Sequence, residues 1–262
     1  ELGPSASTNA GANRRGGQRA APTRGYLAEQ PTFTRLLTYS RLEDLRATNQ
    51  RWSRSADTPS QRPWTYFGPG LYYAPSSERV HVRLAPTNLG VPGRRDFAGM
   101  SNPALVRVAA RADTALLVAG VANVRFADLV FRGGGDHTVR VTNASNIEFI
   151  GCDIDAATVG LTIDGSTGVR FLHGRIDGGL PDWSFRSDFK DNYAVAASET
   201  GKADRNNLVR KTSRTLLYVG HGNRDIELGY CELVRGHDVY MAGVDSSLHH
   251  CRIRDIHDEA LF

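Results

Sequence analysis

Lysine is almost missing from this sequence: Lys190, Lys202 and Lys211 are the only three among 32 basic residues, and the rest are Arg. Arginine holds carboxylates and phosphates through a planar two-pronged fork that lysine lacks. The balance of 32 basic against 28 acidic residues reads first as compositional bias, with a preference for anionic ligands as the sharper alternative. Cysteine occurs three times without a Cys-x-x-Cys spacing, which removes the thiolate zinc and dithiol redox motifs. No apolar run reaches the length of a membrane-spanning helix, so no membrane span is expected. Gly-x-Ser-x-Gly, the phosphate-binding loop, His-Glu-x-x-His and the dinucleotide fingerprint are absent, and with them the chemistries those motifs carry. Basic residues are scattered instead of gathered on one segment, which argues against a nucleic-acid partner.

What the sequence does contain is a repeat. Val124, Phe126, Leu129 and Phe131 return as Ile147, Phe149, Cys152 and Ile154, and again as Val169, Phe171, Gly174 and Ile176. Ile226, Leu228, Cys231 and Leu233, then Ser246, Leu248, Cys251 and Ile253, follow the same template. First positions are separated by 23, 22, 57 and 20 residues, close to the length of one solenoid coil in all but one step. Alternation within each copy predicts strands whose side chains point in and out by turns. The pieces between copies, such as Arg132-Gly-Gly-Gly-Asp136 and Asp164-Gly-Ser-Thr-Gly168, are turn chemistry and too short for a crossover helix.

Leucine-rich repeats share this period, but their leucine spacing and asparagine position are absent. The copies instead resemble the right-handed parallel β-helix of the pectate-lyase-like superfamily, and Asn146-Ile-Glu-Phe-Ile-Gly-Cys-Asp-Ile154 is similar to the coil such proteins repeat. The resemblance covers about Ala104 to Phe262. It implies an all-β solenoid and a carbohydrate-active protein that is secreted, periplasmic or on the cell surface. Cys152, Cys231 and Cys251 share one slot of the repeat, so Cys231 and Cys251 should stack ~4.8 Å apart as small buried hydrophobes. A disulfide between them is disfavoured because their Cβ vectors run parallel.

In order along the chain, residues 1–25 are small, polar and Arg-rich, and are expected to be disordered. Residues 26–103 carry a capping box at Ser40-Arg-Leu-Glu43, predicting a helix with Leu42, Leu45 and Trp52 on one face that caps the solenoid. A β-meander is predicted from Arg62 to Pro86, whose tyrosines and Trp64 form either a small core or a sugar-stacking platform. The β-helix is predicted over 104–262, with its first coil at Ala104–Ala110 and a long insertion at 177–214. Phe262 falls in mid-strand, so the expectation is a solenoid that continues beyond it, completed by a C-terminal segment or a second chain.

The insertion is the favoured address for an activity, because it is a long loop rich in charges and aromatics, among them Trp183, Phe185, Arg186, Asp188, Lys190 and Tyr193. A second cluster comes from register: Leu233 plus four is His237, followed by Asp238, and Ile253 plus four is His257, followed by Asp258 and Glu259. One coil apart, Asp238 and Asp258 would stand ~4.8 Å from each other, which calls for a shared proton or a cation between them. Asp136-His137 is an inverted pair further away and reads as packing. His249-His250 suggests a metal, but neighbours in a strand point to opposite faces.

Three chemistries fit. A lyase acting on an acidic polysaccharide needs a base, here Lys190, Tyr193 or His237, and a cation beside the uronate carboxylate, here Arg186, Arg235 or a bound Ca²⁺, with Trp183 for binding. An epimerase would use similar groups, although Gly236-His-Asp238 matches only the last two residues of the Asp-Pro-His-Asp stretch of such enzymes. A glycoside hydrolase needs two carboxylates, available as Asp238 with Asp258 or Glu259. A non-catalytic adhesin or glycan-binding module is the remaining class, and the lyase is the favoured one.

Overall fold

The computed structural model describes residues 24–28, 33–39, 41–48, 50, 64–66, 68–89, 95–110, 113–179, 215–256 and 260–261. From Thr114 the chain winds as a parallel β-solenoid of five coils, each with three strands. They are β6 (Thr114–Ala119), β7 (Ala122–Ala127) and β8 (Val130–Arg132), followed by β9 (His137–Thr142), β10 (Ser145–Ile150) and β11 (Asp153–Asp155). The third coil is β12 (Val159–Asp164), β13 (Thr167–Leu172) and β14 (Arg175–Asp177), and the fourth β15 (Thr215–Val219), β16 (Arg224–Gly229) and β17 (Glu232–Val234). The fifth is β18 (Asp238–Met241), β19 (Ser247–His249) and β20 (Arg252–Arg254). Each strand pairs in parallel with its counterpart one coil away, giving three five-stranded faces, named here for their first strands, β6, β7 and β8.

The repeat sets this register. Val124, Ile147, Val169 and Ile226 align, as do Phe126, Phe149, Phe171 and Leu228. On the β8 face Phe131, Ile154, Ile176, Leu233 and Ile253 align in the same way. These positions form the apolar interior, and the rings at its centre touch: Phe126 stacks on Phe149 at 4.9 Å, while Phe131 meets Phe149 edge-on at 6.2 Å. Burying each such side chain contributes about 1.5–3 kcal/mol. The two-residue gap in the template is a corner, where Asp128, Gly151, His173, Tyr230 and His250 all take left-handed φ between 52 and 62°. One left-handed residue turns the chain from the β7 face to the β8 face and leaves the next slot pointing inward.

At that inward slot Cys152 and Cys231 are buried and Cys251 half-buried, and all three are free thiols. Gly174 lies between the first two, and a Cβ there would sit 2.3 Å from the Cys152 carbonyl oxygen and 2.7 Å from the Phe171 ring. Gly174→Ala is therefore expected to destabilise the fold by about 1–3 kcal/mol through overpacking. Urea denaturation checks this, and an unchanged midpoint would show that the coil relaxes around the methyl group.

Outside, the β7 face carries Arg125, Glu148, Arg170 and Glu227 in alternation, with ion pairs at 3.8, 3.5 and 3.2 Å. The β8 face is paired likewise through Arg132–Asp155 at 2.7 Å, Arg175–Glu232 at 3.1 Å and Arg254–Glu232 at 3.0 Å. Pairs this exposed add little stability each. Opposite charges across neighbouring strands do favour the observed register over one that brings like charges together.

The N-terminal residues form a second, mixed sheet from β1 (Arg24–Ala28), β2 (Phe33–Thr38), β3 (Gly70–Ala74), β4 (Arg79–Arg83) and β5 (Val106–Ala109), in the order β4-β3-β2-β1-β5. Ala104–Ala110, expected as the first coil, holds β5 instead, which runs antiparallel to β1. The predicted meander reduces to the antiparallel β3–β4 hairpin, and Tyr39 and Tyr66 are buried as core residues. The short helix α1 (Leu42–Arg46) buries Leu45 with Leu37, Tyr39 and Tyr66. Its N-cap is Arg41, without a side-chain cap, while Ser40 and Trp52 lie outside the described residues. Arg83 closes its other end, donating to the carbonyls of Leu45 and Ala47 at 2.8 and 2.7 Å. This sheet meets the solenoid at the corner between the β8 and β6 faces, where Tyr26 donates to the Gly134 carbonyl at 2.7 Å and buried Arg35 to that of Ala157 at 2.9 Å. Leu117, Val121, Leu129 and Val130 of the first coil stay exposed.

Candidate functional site

Of the residues singled out from sequence, His237, Asp238 and Arg235 are described, while Trp183, Arg186, Lys190, Tyr193, His257, Asp258 and Glu259 lie outside the described residues. His237 stands at the corner entering β18, and its Nδ1 is 2.6 Å from Oδ1 of Asp238. With Asp238 accepting the Nδ1 proton, the imidazole is held in the tautomer whose Nε2 carries the lone pair. Arg235 is engaged elsewhere: Nε donates to Oδ1 of Asp177 at 2.9 Å and Nη2 to Oδ2 at 2.5 Å. That two-pronged bond fastens the fourth coil to the third at the foot of the insertion.

Asp177 is the register partner of Asp155, so two carboxylates occupy neighbouring coils on the β8 face. Asp177 is buried and also pairs with Arg175 at 2.7 Å. Burial pushes the Asp155 carboxyl above the usual range, Arg132 opposes that shift, and the Asp177 charge adds to it. Sequence reading missed this pair because Asp-Ile-Asp and Arg-Ile-Asp look like ordinary alternating strands.

The β6 face differs from the other two. Its outward row, read along the solenoid axis, is Leu117, Arg140, Thr162, Tyr218 and Tyr240, with no carboxylate in it. Tyr218 and Tyr240 stack at 5.1 Å with their planes 13° apart, and the Tyr240 hydroxyl is 3.0 Å from Nε2 of His221. Asp238 lies two residues before Tyr240 on β18 and so projects on the same side. Further along, Nδ1 of His137 is 2.8 Å from the Thr162 hydroxyl. Next to it the Nε of Arg140 is buried without a hydrogen-bond partner, and no carboxylate among the described residues is ion-paired with this guanidinium. Buried polar groups of this kind are rare enough to call for an explanation.

His137 is held below the usual histidine range, first by burial and then by Arg140, with Asp136 opposing. The folded protein therefore resists protonation there more than the unfolded chain does. This contribution to stability is complete above the unfolded value, about 6.5, and is lost as pH falls from there towards the lower folded value. His137→Asn is expected to flatten the stability profile in that window and to leave the more acidic range, where raised Asp155 has the opposite sign, unchanged. Denaturation midpoints across pH test this, and identical slopes in both proteins would assign the effect to another group.

At the corner between the β7 and β8 faces, His173, Tyr230 and His250 form a continuous stack, at 5.0 and 4.8 Å between ring centres. The left-handed φ of His250 swings its ring onto the side of His249, so the two do not point apart as strand alternation predicts. Their Nδ1 atoms are 3.0 Å apart, and Nε2 of His249 is 3.0 Å from Glu227, which links the three side chains in one hydrogen-bonded line. Among the described residues no three His, Cys, Asp or Glu side chains converge as a metal cage.

Compared with known proteins, the chain matches no family model, no curated protein and no solved structure. The fold and these side chains are what define it, as a parallel β-solenoid whose β6 face combines aromatic rings, a guanidinium without a carboxylate partner among the described residues and a carboxylate-oriented histidine. No helix among the described residues is long and apolar enough to cross a membrane.

Proposed function

We propose that this chain is an extracytoplasmic carbohydrate-active enzyme of the pectate-lyase-like kind, cleaving a uronate-containing polysaccharide by β-elimination on its β6 face. The observation that carries this reading is the His237–Asp238 pair, at 2.6 Å, beside the stacked Tyr218 and Tyr240. The exposed Tyr218, backed by half-buried Tyr240, offers aromatic surface to a sugar, while His237, oriented by Asp238, is a base whose Nε2 can take the proton α to the uronate carboxylate. The electron pair left behind enters the carboxylate as an enolate, then forms the carbon–carbon double bond as the glycosidic oxygen leaves from the β carbon and takes up a proton from water to become the hydroxyl of the new chain end. A cation at the carboxylate, whether an arginine or Ca²⁺, lowers the cost of the enolate.

Hydrolysis is the second reading, favoured by the neighbouring carboxylates Asp155 and Asp177, of which burial raises Asp155 towards the protonated form that a general acid needs. Incubation with acidic and neutral polysaccharides, with and without Ca²⁺, separates the alternatives. Elimination creates a conjugated unsaturated uronate that absorbs ultraviolet light together with a new reducing end. Reducing ends without absorbance would establish hydrolysis, and retention of a glycan without either product would establish a binding module.

A further inference from the structure

On that reading of the β6 face, we infer that Arg140, flanked by Thr162 and His137, is a subsite for the anionic group of a sugar, and that the polymer lies parallel to the solenoid axis from Arg140 to Tyr240. Three facts of placement support this. Every described arginine projecting from the β7-face and β8-face strands of the first four coils pairs with a carboxylate, as Arg125, Arg132, Arg170 and Arg175 do, whereas Arg140 on the β6 face pairs with none among the described residues. Its Nε is withdrawn from solvent without a hydrogen-bond partner, so the guanidinium is only partly compensated where it stands and gains more from an anion than an exposed arginine would. The register fixes the direction: Arg140, Thr162, Tyr218 and Tyr240 are consecutive partners on four neighbouring strands, which spaces them by ~4.8 Å steps along one straight line.

The line has two chemically different halves. At one end Arg140 and the Thr162 hydroxyl, which also contacts His137, present donors to an anion. At the other end Tyr218 and Tyr240, stacked on each other, present ring edges and hydroxyl groups, with Asp238 two residues before Tyr240 and His237 paired to it. A glycan engaging both halves has an acidic group about two coils from the sugar that lies on the tyrosines. The recognition unit is therefore an oligosaccharide of several residues with a negative charge displaced from the bond to be broken.

The test is direct binding, measured by calorimetry with a uronate oligosaccharide, its carboxyl-reduced neutral counterpart and a sulfated glycan of similar length. Arg140→Gln is expected to weaken uronate binding about 10- to 100-fold, the worth of a hydrogen-bonded charge, and to leave the neutral counterpart unaffected. Weakening for the sulfated glycan as well would assign the subsite to anions in general, and weakening for that ligand alone would assign it to sulfate esters. Equal affinities in wild type and Arg140→Gln for every anionic ligand would overturn the proposal. The measurement needs no turnover, so a chain that binds uronate through Arg140 but produces nothing overturns the lyase reading and leaves the subsite standing. Arg140→Lys guards against a folding defect: it is expected to recover part of the affinity, as a point charge without the fork.

Discussion

Phe149→Ala is expected to lower the unfolding free energy by about 3–5 kcal/mol, a large fraction of what a domain of this size has to spare. The ring is fully buried and central: Phe126 stacks on it at 4.9 Å, Phe131 meets it edge-on at 6.2 Å and Phe171 lies at 6.2 Å from the third coil. Removing it opens a void shared by three coils that parallel ladders tie to one another, with the second and third laddered on both sides, so the walls have little freedom to close in. Urea denaturation should show a lower midpoint with an unchanged slope, and Phe149→Leu should recover most of the loss. A cost below about 1 kcal/mol for the alanine variant would mean that the coils collapse around the gap, contrary to the rigidity inferred for them.

His237→Asn is expected to reduce turnover of an acidic polysaccharide by about 10²- to 10⁴-fold, the usual contribution of a positioned base. Affinity for the uncleaved glycan should be retained, because Tyr218, Tyr240 and Arg140 are untouched. Asp238→Asn should also reduce turnover by releasing the tautomer control at Nδ1. Should His237→Asn keep full activity while Asp155→Asn loses it, the chemistry belongs to the carboxylates on the β8 face.

The rungs of the solenoid were readable from sequence because burial there repeats with the chain's own geometry: Ile147 and Phe149 differ from Val169 and Phe171 by little more than a methyl group, at the same spacing. Strands β1 and β2 were not, since β2 carries the buried Arg35, whose charge masks the alternation of Leu36 with its neighbours. The apolar alternation of Val106 and Val108 fits a coil rung as well as a sheet edge, and pairing with β1 decides between them. His237 and Asp238 were legible as a pair because they are adjacent. Arg140, Tyr218 and Tyr240 were not, because they are far apart in the chain and become one row only through register. The left-handed corners were hidden for a different reason: His173, Tyr230 and His250 occupy a conformation usually signalled by glycine or asparagine.

The long step between the third and fourth coils has a consequence for local unfolding. Val169 and Ile226 are partners although 57 residues separate them, against 22 for Ile147 and Val169. Closing the longer loop costs ~0.8 kcal/mol more in chain entropy. In a stack where each coil is held mainly by its neighbours, the fourth and fifth coils are expected to open together as one unit, and amide exchange would show their amides losing protection together. Arg140 and Thr162 belong to one side of that joint, Tyr218, Tyr240 and His237 to the other. A glycan lying along the row bridges the seam, so its binding should slow exchange in the fourth and fifth coils most of all.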